Sequence, residues 1–410
     1  MKKPMQQMGL ERQMGSKVDT ERWGPAGREL IMKLDGMRER MREASQSYSE
    51  RGAEDVREVM GRYQALVYQG GIVCQGFNMR QLELGFKWAD AFDASATSLE
   101  YDWDYERTCV IFNLAGSISF LATHSDRQTP EGLKAACGLY QQAAGALHAV
   151  HELVKAASWR ASADLSGDTL GALEALMLAQ AQKCFFEKAE GDGMTPKVLA
   201  MLSAECAALY EDVGIRVEEA KRRSRPISSM SDDWLDVVQW NRLLFDALQH
   251  FHLATLHREK SEFGNELSRL TYACDKSAMA VNACANANPA LQELFKRHYA
   301  ICKEAHTRAK HDNELVHYAK VPDIKTLPKP ERKCMVRSTS PPEILNLEEP
   351  KAAAAAPGRG ADPPPSFAVA ETAGVAELVG MGFTEEAARD ALDQCGGSVQ
   401  AAAELLLQRS

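Results

Sequence analysis

The sequence predicts a mainly α-helical protein, on three observations. Over about residues 23–320 apolar residues recur at helical spacing and prolines are few. Within that span the pairs Thr129-Pro130 and Thr195-Pro196 each supply a capping hydroxyl and a proline for the first helical position. Residues 164–186, DLSGDTLGALEALMLAQAQKCFF, are apolar on nearly every side, so this helix has to be sandwiched between others.

The elements follow in order. Residues 1–25 are polar and Met-rich and are expected to be disordered. Leu82-Glu83-Leu84-Gly85-Phe86-Lys87-Trp88 begins with apolar/polar alternation, which suits a small β-hairpin. A helix is expected near Tyr105, carrying Cys109, Val110, Ile111, Phe112 and Leu114. Thr129-Pro130-Glu131 opens the next, which runs to about Lys155. Ser166 or Asp168 can cap the helix at 164–186, and Gly191 and Gly193 can end it. Thr195-Pro196 starts a helix to about Arg223, and Ser231-Asp232-Asp233 starts another carrying Trp234, Leu235, Val238, Leu243, Leu244, Leu248, Phe251 and Leu256. Successive antiparallel helices of this length predict hairpins or a solenoid.

Composition changes after Lys325. Prolines at 328, 330, 341, 342, 350, 357 and 363–365 surround five alanines at 352–356. Residues 335–370 are therefore read as a flexible linker, whose ~35 residues would have a root-mean-square span of ~30–35 Å.

The 410 residues are 45% hydrophobic and 26% charged, a globular composition, and the net charge of −9 argues against general nucleic-acid binding. No run approaches the ~18 apolar residues of a membrane span. The start MKKPMQQMGLERQ has no apolar core, so no secretory leader is expected. None of the ten cysteines forms a C-x-x-C pair. No zinc knuckle is expected; Cys184 and Cys206 read as small buried hydrophobes in a reducing compartment. His250, His252 and His257 do not stand at H-E-x-x-H spacing. No glycine-rich phosphate loop and no G-x-S-x-G motif occur. No catalytic residue, cofactor or metal is expected. Lys221-Arg222-Arg223-Ser224-Arg225 reads as a solvated helix end.

Residues 371–410 form a module of three short helices. Val375 and Leu378 lie in the first, Ala388, Ala391 and Leu392 in the second, and Val399, Ala402, Leu405, Leu406 and Leu407 in the third. Met381-Gly382-Phe383 makes a tight apolar turn, and Gly396-Gly397 and Ser398 punctuate the last two helices. This pattern resembles the ubiquitin-associated (UBA) domain. The resemblance implies a three-helix bundle that binds ubiquitin through Met381, Gly382, Phe383, Leu406 and Leu407.

The larger region carries a second resemblance. The helix at 164–186, FKWADAF at 86–92, YERTCVIFN at 105–113, EGLK at 131–134, KHDN at 310–313 and KVPD at 320–323 look like ordered blocks of the Alix-type Bro (Bro-one) domain. The likeness covers about residues 55–340, and the domain is assigned 26–334. It implies a curved, banana-shaped helical domain with a tetratricopeptide-like core. It also implies an apolar patch, Phe185, Val198 and Leu202, for the C-terminal helix of an ESCRT-III subunit of the charged-multivesicular-body-protein type. Val198 and Leu202 share a helical face, while Leu199, Cys206, Leu209 and Val213 can supply the core stripe. Phe185→Asp or Leu202→Asp is expected to abolish peptide binding with helical content unchanged.

Two departures from the family pattern stand out. Pro130 replaces a family acidic residue at the patch rim. His317 with Tyr318 beside it stands where the family often has tyrosine. Together the two resemblances imply a non-enzymatic adaptor in endosomal, multivesicular-body sorting, cytoplasmic and peripherally recruited to endosomes through partners. The alternative is a signalling or ubiquitin–proteasome scaffold using the same helical domain for another partner.

Overall fold

In the computed structural model the described residues are 10, 14, 17–46, 52–93, 95–223, 232–345, 347, 383–394 and 406. The helices are α1 (Thr20–Gln46), α2 (Ala53–Val73), α3 (Trp103–Thr123), α4 (Pro130–Ala156), α5 (Gly167–Gly191), α6 (Pro196–Arg223), α7 (Asp232–Glu259), α8 (Phe263–Ala283) and α9 (Pro289–Asp312). The short α10 (Pro342–Leu345) and then α11 (Glu385–Gln394) follow. The extensive interfaces join consecutive helices from α1 to α9, and none closes the series from last to first. The result is an open, curved helical array rather than a closed bundle.

Local chemistry sets the helix ends. Thr129 accepts the Gly132 amide at the start of α4, and Ser166, not Asp168, accepts the Thr169 amide at the start of α5. Asn288 does the same for Leu291 in α9. α5 ends at Gly191, and Gly193 (φ 69°) turns the chain toward α6. From Asp168 to Ala189 no residue of α5 is exposed, so the helix is sandwiched as its composition demands.

The hairpin lies later than expected. Its strands are β1 (Phe86–Ala89) and β2 (Thr97–Glu100), antiparallel, with Phe86 opposite Glu100 and Ala89 opposite Thr97. Residues 79–83 form a turn before it, with Glu83 left-handed at φ 55°. Asp90, just past β1, meets Asp164 at the approach to α5. The Asp164 amide donates to Asp90 Oδ2 at 3.2 Å, and the Ala91 amide donates to Asp164 Oδ2 at 2.8 Å. Burial, then the Asp164 charge, raises the Asp90 pKa.

Two large clusters dominate the core, with smaller ones beside them. One large cluster gathers α1 to α4 and the hairpin around Tyr63, Phe86, Trp88 and Tyr105; another gathers α5 to α9 around Phe186, Tyr210, Phe245 and Phe295. A charged group sits inside the first. Glu106 is fully buried and accepts from Arg38 Nε (2.8 Å), Tyr63 Oη (2.8 Å) and Trp88 Nε1 (2.6 Å). Burial disfavours the Arg38 charge, but Glu106 outweighs it and keeps the guanidinium protonated.

Both ends of the expected domain need correction. Leu10, Met14, Val18 and Trp23 are buried in the first cluster, and α1 begins at Thr20, so residues 1–25 are not wholly outside the fold. The linker assigned from 335 begins later. Residues 327–341 form an extended strap across α6, α5 and α4. The Lys333 amide donates to Met201 O, Met335 and Val336 are buried, and Arg57 pairs with Glu343 at 2.6 Å. Its prolines cost the fold nothing, because glutamine side chains of the helices satisfy the strap's backbone instead of a partner strand. The Gln182 side chain holds Lys333 and Met335, the Gln141 side chain holds Arg337 while its backbone carbonyl accepts the Thr339 amide, and Gln64 donates to the Glu343 carbonyl.

Candidate functional site

The three residues expected at the α5–α6 junction differ in exposure. Phe185, in the last turns of α5, is half-buried and packs against the second core cluster and against a smaller one containing Tyr140, Cys184 and Val336. Val198, in the first turn of α6, is also half-buried. Leu202 is only 1% exposed. It is therefore part of the floor and does not project from the surface. Leu199, Cys206 and Val213 are buried as the core stripe, whereas Leu209 is half-buried. The accessible apolar surface is thus Phe185 and Val198, with Met194 half-buried in the loop between their helices.

Charged residues lie nearby in sequence on α5 and in the loop before α4. Arg127, just before α4, donates from Nε to Glu187 Oε2 at 3.0 Å. Burial opposes the Arg127 charge, and Glu187 more than compensates. Lys188 pairs with Asp192 at 2.6 Å. Lys183 Nζ donates to Asn241 Oδ1 at 2.8 Å, and burial lowers its pKa. Pro130 is exposed and brings no charge of its own. Sequence reasoning passed over Arg127 and Glu187. They lie 60 residues apart, so their pairing is a product of the α4–α5 packing. An isolated arginine in a loop gives no signal of its partner.

In the C-terminal module, Met381, Gly382 and Leu407 lie outside the described residues. Phe383 is half-buried and packs against the α5–α9 core cluster. Thr384 Oγ1 accepts the Ala387 amide at the start of α11, where Ala388 and Ala391 are buried. Leu406 is buried as well, so its side chain serves packing before any partner.

Elsewhere the chemistry is structural. Cys184 and Cys206 are fully buried, and burial pushes the Cys184 thiol up to about 11. His250 and His252 are buried, and His257 contacts Glu262. Among the described residues no group of three or more His, Cys, Asp or Glu is placed to hold a metal ion. No helix among them is long and apolar enough to cross a membrane. In the basic run, Arg223 pairs with Asp168 at 2.8 Å. Tyr318 follows the α9 exit in a left-handed conformation (φ 50°), 75% exposed, while His317 stacks on Phe263.

A model of the BRO1-like domain matches residues 23–358, and a model of the UBA/TS-N domain matches residues 372–406. Programmed cell death 6-interacting protein of Xenopus laevis is 31% identical over 270 residues, 64% of this chain and 30% of that protein. ALG-2 interacting protein X of Dictyostelium discoideum is 27% identical over 317 residues, 77% of this chain and 38% of that protein. The chain thus spans about a third of the length of these relatives. A structure of the ALIX BRO1–CHMP4C complex aligns with a TM-score of 0.72 at 24% identity, covering 85% of this chain and 97% of that one. A Bro1-domain structure described as the basis for endosomal targeting aligns with a TM-score of 0.66 at 14% identity, covering 84% and 92%. Both likenesses speak for the fold.

Proposed function

The chain belongs to the BRO1-like domain family, and on that premise we propose that it is a non-catalytic adaptor in endosomal, multivesicular-body sorting. Its helical domain takes the C-terminal amphipathic helix of an ESCRT-III subunit. Its UBA/TS-N domain takes ubiquitin or a ubiquitinated protein. The observation that carries this reading is that Phe185 and Val198 are half-buried while Leu202 on the same α6 face is buried, with the pairs Arg127–Glu187 and Lys188–Asp192 formed by Glu187 and Lys188, which follow Phe185 on α5. An amphipathic helix offers what such a surface lacks: an apolar stripe at i, i+3, i+4 spacing with charges on its flanks. The complex of a BRO1 domain with CHMP4C on the same fold supports the choice of partner. The cytoplasm is the compartment where both partners would be met, with recruitment to endosomes passing through them.

Titration of a labelled ESCRT-III C-terminal peptide with the full chain tests the assignment. Phe185→Asp is expected to weaken binding at least about thirtyfold, as loss of a hot-spot contact does. Unimpaired binding by the folded variant would sink the patch. Capture of proteasome or kinase components without ESCRT-III would favour the scaffold reading. For the UBA domain, ubiquitin titrated into isotopically labelled residues 368–410 is expected to shift signals at Met381 and Phe383, and no shift there would refute the assignment.

A further inference from the structure

We propose that Ser340 is a phosphorylation site, and that phosphorylated Ser340 makes residues 337–342 a docking site for a phosphoserine-reading protein of the 14-3-3 class. The segment reads Arg337-Ser338-Thr339-Ser340-Pro341-Pro342. It places an arginine three residues before the serine, a second serine two before it, and a proline two after it. Readers of this class hold an extended chain in a groove and grip the phosphate with an arginine cluster.

The strap presents this segment in a usable form. It is extended, and the described residues contain no cis peptide bond, so Pro341 follows Ser340 in trans. Arg337, Thr339 and Ser340 are exposed. The fold uses the segment mainly through its backbone. The Arg337 amide donates to Gln141 Oε1 at 3.1 Å and the Thr339 amide to Gln141 O at 3.0 Å. The chain lies so close to α4 that a Cβ on Gly145 would stand 2.1 Å from the Thr339 carbonyl oxygen. Among the described residues, the Arg337 guanidinium and the Ser340 hydroxyl enter no hydrogen bond or ion pair of the fold. They are spare for recognition.

The modification is an ordinary phosphoryl transfer from ATP on a protein kinase. Ser340 Oγ forms a bond to the γ-phosphorus, the bond from that phosphorus to the ADP oxygen breaks, and the hydroxyl proton passes to the kinase base. The phosphate adds nearly two negative charges to a stretch already beside carboxylates. Ser338 Oγ donates to Glu174 Oε1 at 2.6 Å, and Glu343 follows three residues on, paired with Arg57. Engaging the reader lifts the strap and breaks these contacts. Met335 and Val336, just upstream, pack in the two clusters that Phe185 joins, so lifting the strap disturbs the patch as well.

Full-length chain with phosphoserine incorporated genetically at position 340 tests the reader half, with a purified 14-3-3 protein as the probe. Binding at least about tenfold tighter than to the unmodified chain is expected. Arg337→Ala or Pro342→Ala in the phosphorylated chain should weaken it. A synthetic phosphopeptide of residues 334–345 that binds while the phosphorylated chain does not would show that the strap never opens, and would overturn the proposal. Failure of both to bind overturns the motif. Incubation of the unmodified chain with ATP and a proline-directed kinase, read by mass spectrometry, tests the modification. Phosphate on the unmodified 334–345 peptide but not on Ser340 of the chain would overturn that half, and Ser340→Ala fixes the site.

Discussion

Gln182 and Met335 are locked together through the backbone: the Gln182 Oε1 accepts the Met335 amide at 3.0 Å, while its Nε2 donates to the Lys333 carbonyl at 2.9 Å. A fully buried side chain in the middle of α5 thus replaces both neighbours that a β-strand would have given the strap. This one amide anchors the middle of the strap to α5.

Replacing it tests that role. Gln182→Leu keeps the volume and leaves the Met335 amide and the Lys333 carbonyl without partners. The expected loss is about 2–4 kcal/mol of stability. Hydrogen exchange should quicken at residues 333–339 while the rest of α5 stays protected. Unchanged exchange there would show that the strap is held by something else.

The buried Arg38–Glu106 pair is a second test. Arg38→Met leaves Glu106 charged in the core with only Tyr63 and Trp88 as donors. Urea denaturation should show a loss of about 3–5 kcal/mol, the usual consequence of orphaning one member of a buried pair. A neutral outcome would contradict the role assigned to the pair.

Acid should weaken the protein between about pH 6.5 and 4. Burial, joined by Arg269 beside His250 and His298 beside His252, lowers both imidazoles from 6.5 to about 4. The unfolded chain binds protons in that window and the native state does not, so stability is present above pH 6.5 and is lost as pH falls toward 4. His252 Nε2 is buried with no hydrogen-bond partner among the described residues, and its ring packs near Phe186. His252→Phe should therefore flatten the dependence of Tm on pH between 6.5 and 4. An unchanged slope would refute the assignment.

The patch residues should divide by burial. Leu202→Asp places a charge at a site 1% exposed and should unfold the region, read as lost helicity by circular dichroism. This replaces the expectation from sequence that Leu202→Asp leaves helical content intact. Val198→Asp, at a half-buried position, should keep the helicity and lower only peptide affinity. Equal helicity in both variants would contradict the placement of Leu202.

Much of this was legible in the chain. The caps Thr129, Ser166 and the Thr195-Pro196 start are local, because a capping side chain and the amide it meets are two or three residues apart. The burial of α5 was legible too, since a helix with no polar face has nowhere else to go. Leu10, Met14 and Val18 recur every four residues, a signal that could have placed the N-terminal segment in the core and was masked by its polar surroundings. The hairpin was displaced because β2, Thr-Ser-Leu-Glu, carries almost no strand pattern of its own.

What sequence alone determined is therefore the mainly helical class, the helices from Tyr105 to about Leu256 with several of their caps, and the membership of two domains, all properties of short-range pattern and composition. Only the tertiary structure decided that the proline-rich segment after Lys325 is a seated strap, that Leu202 is floor and Phe185 edge, and that Arg127 meets Glu187. Each of these rests on partners far apart in sequence, such as Arg127 with Glu187, 60 residues apart, and Gln182 with Met335, 153 residues apart. A glutamine's choice between water and a distant backbone amide is made by the packing of the helix that carries it, and no local pattern encodes it.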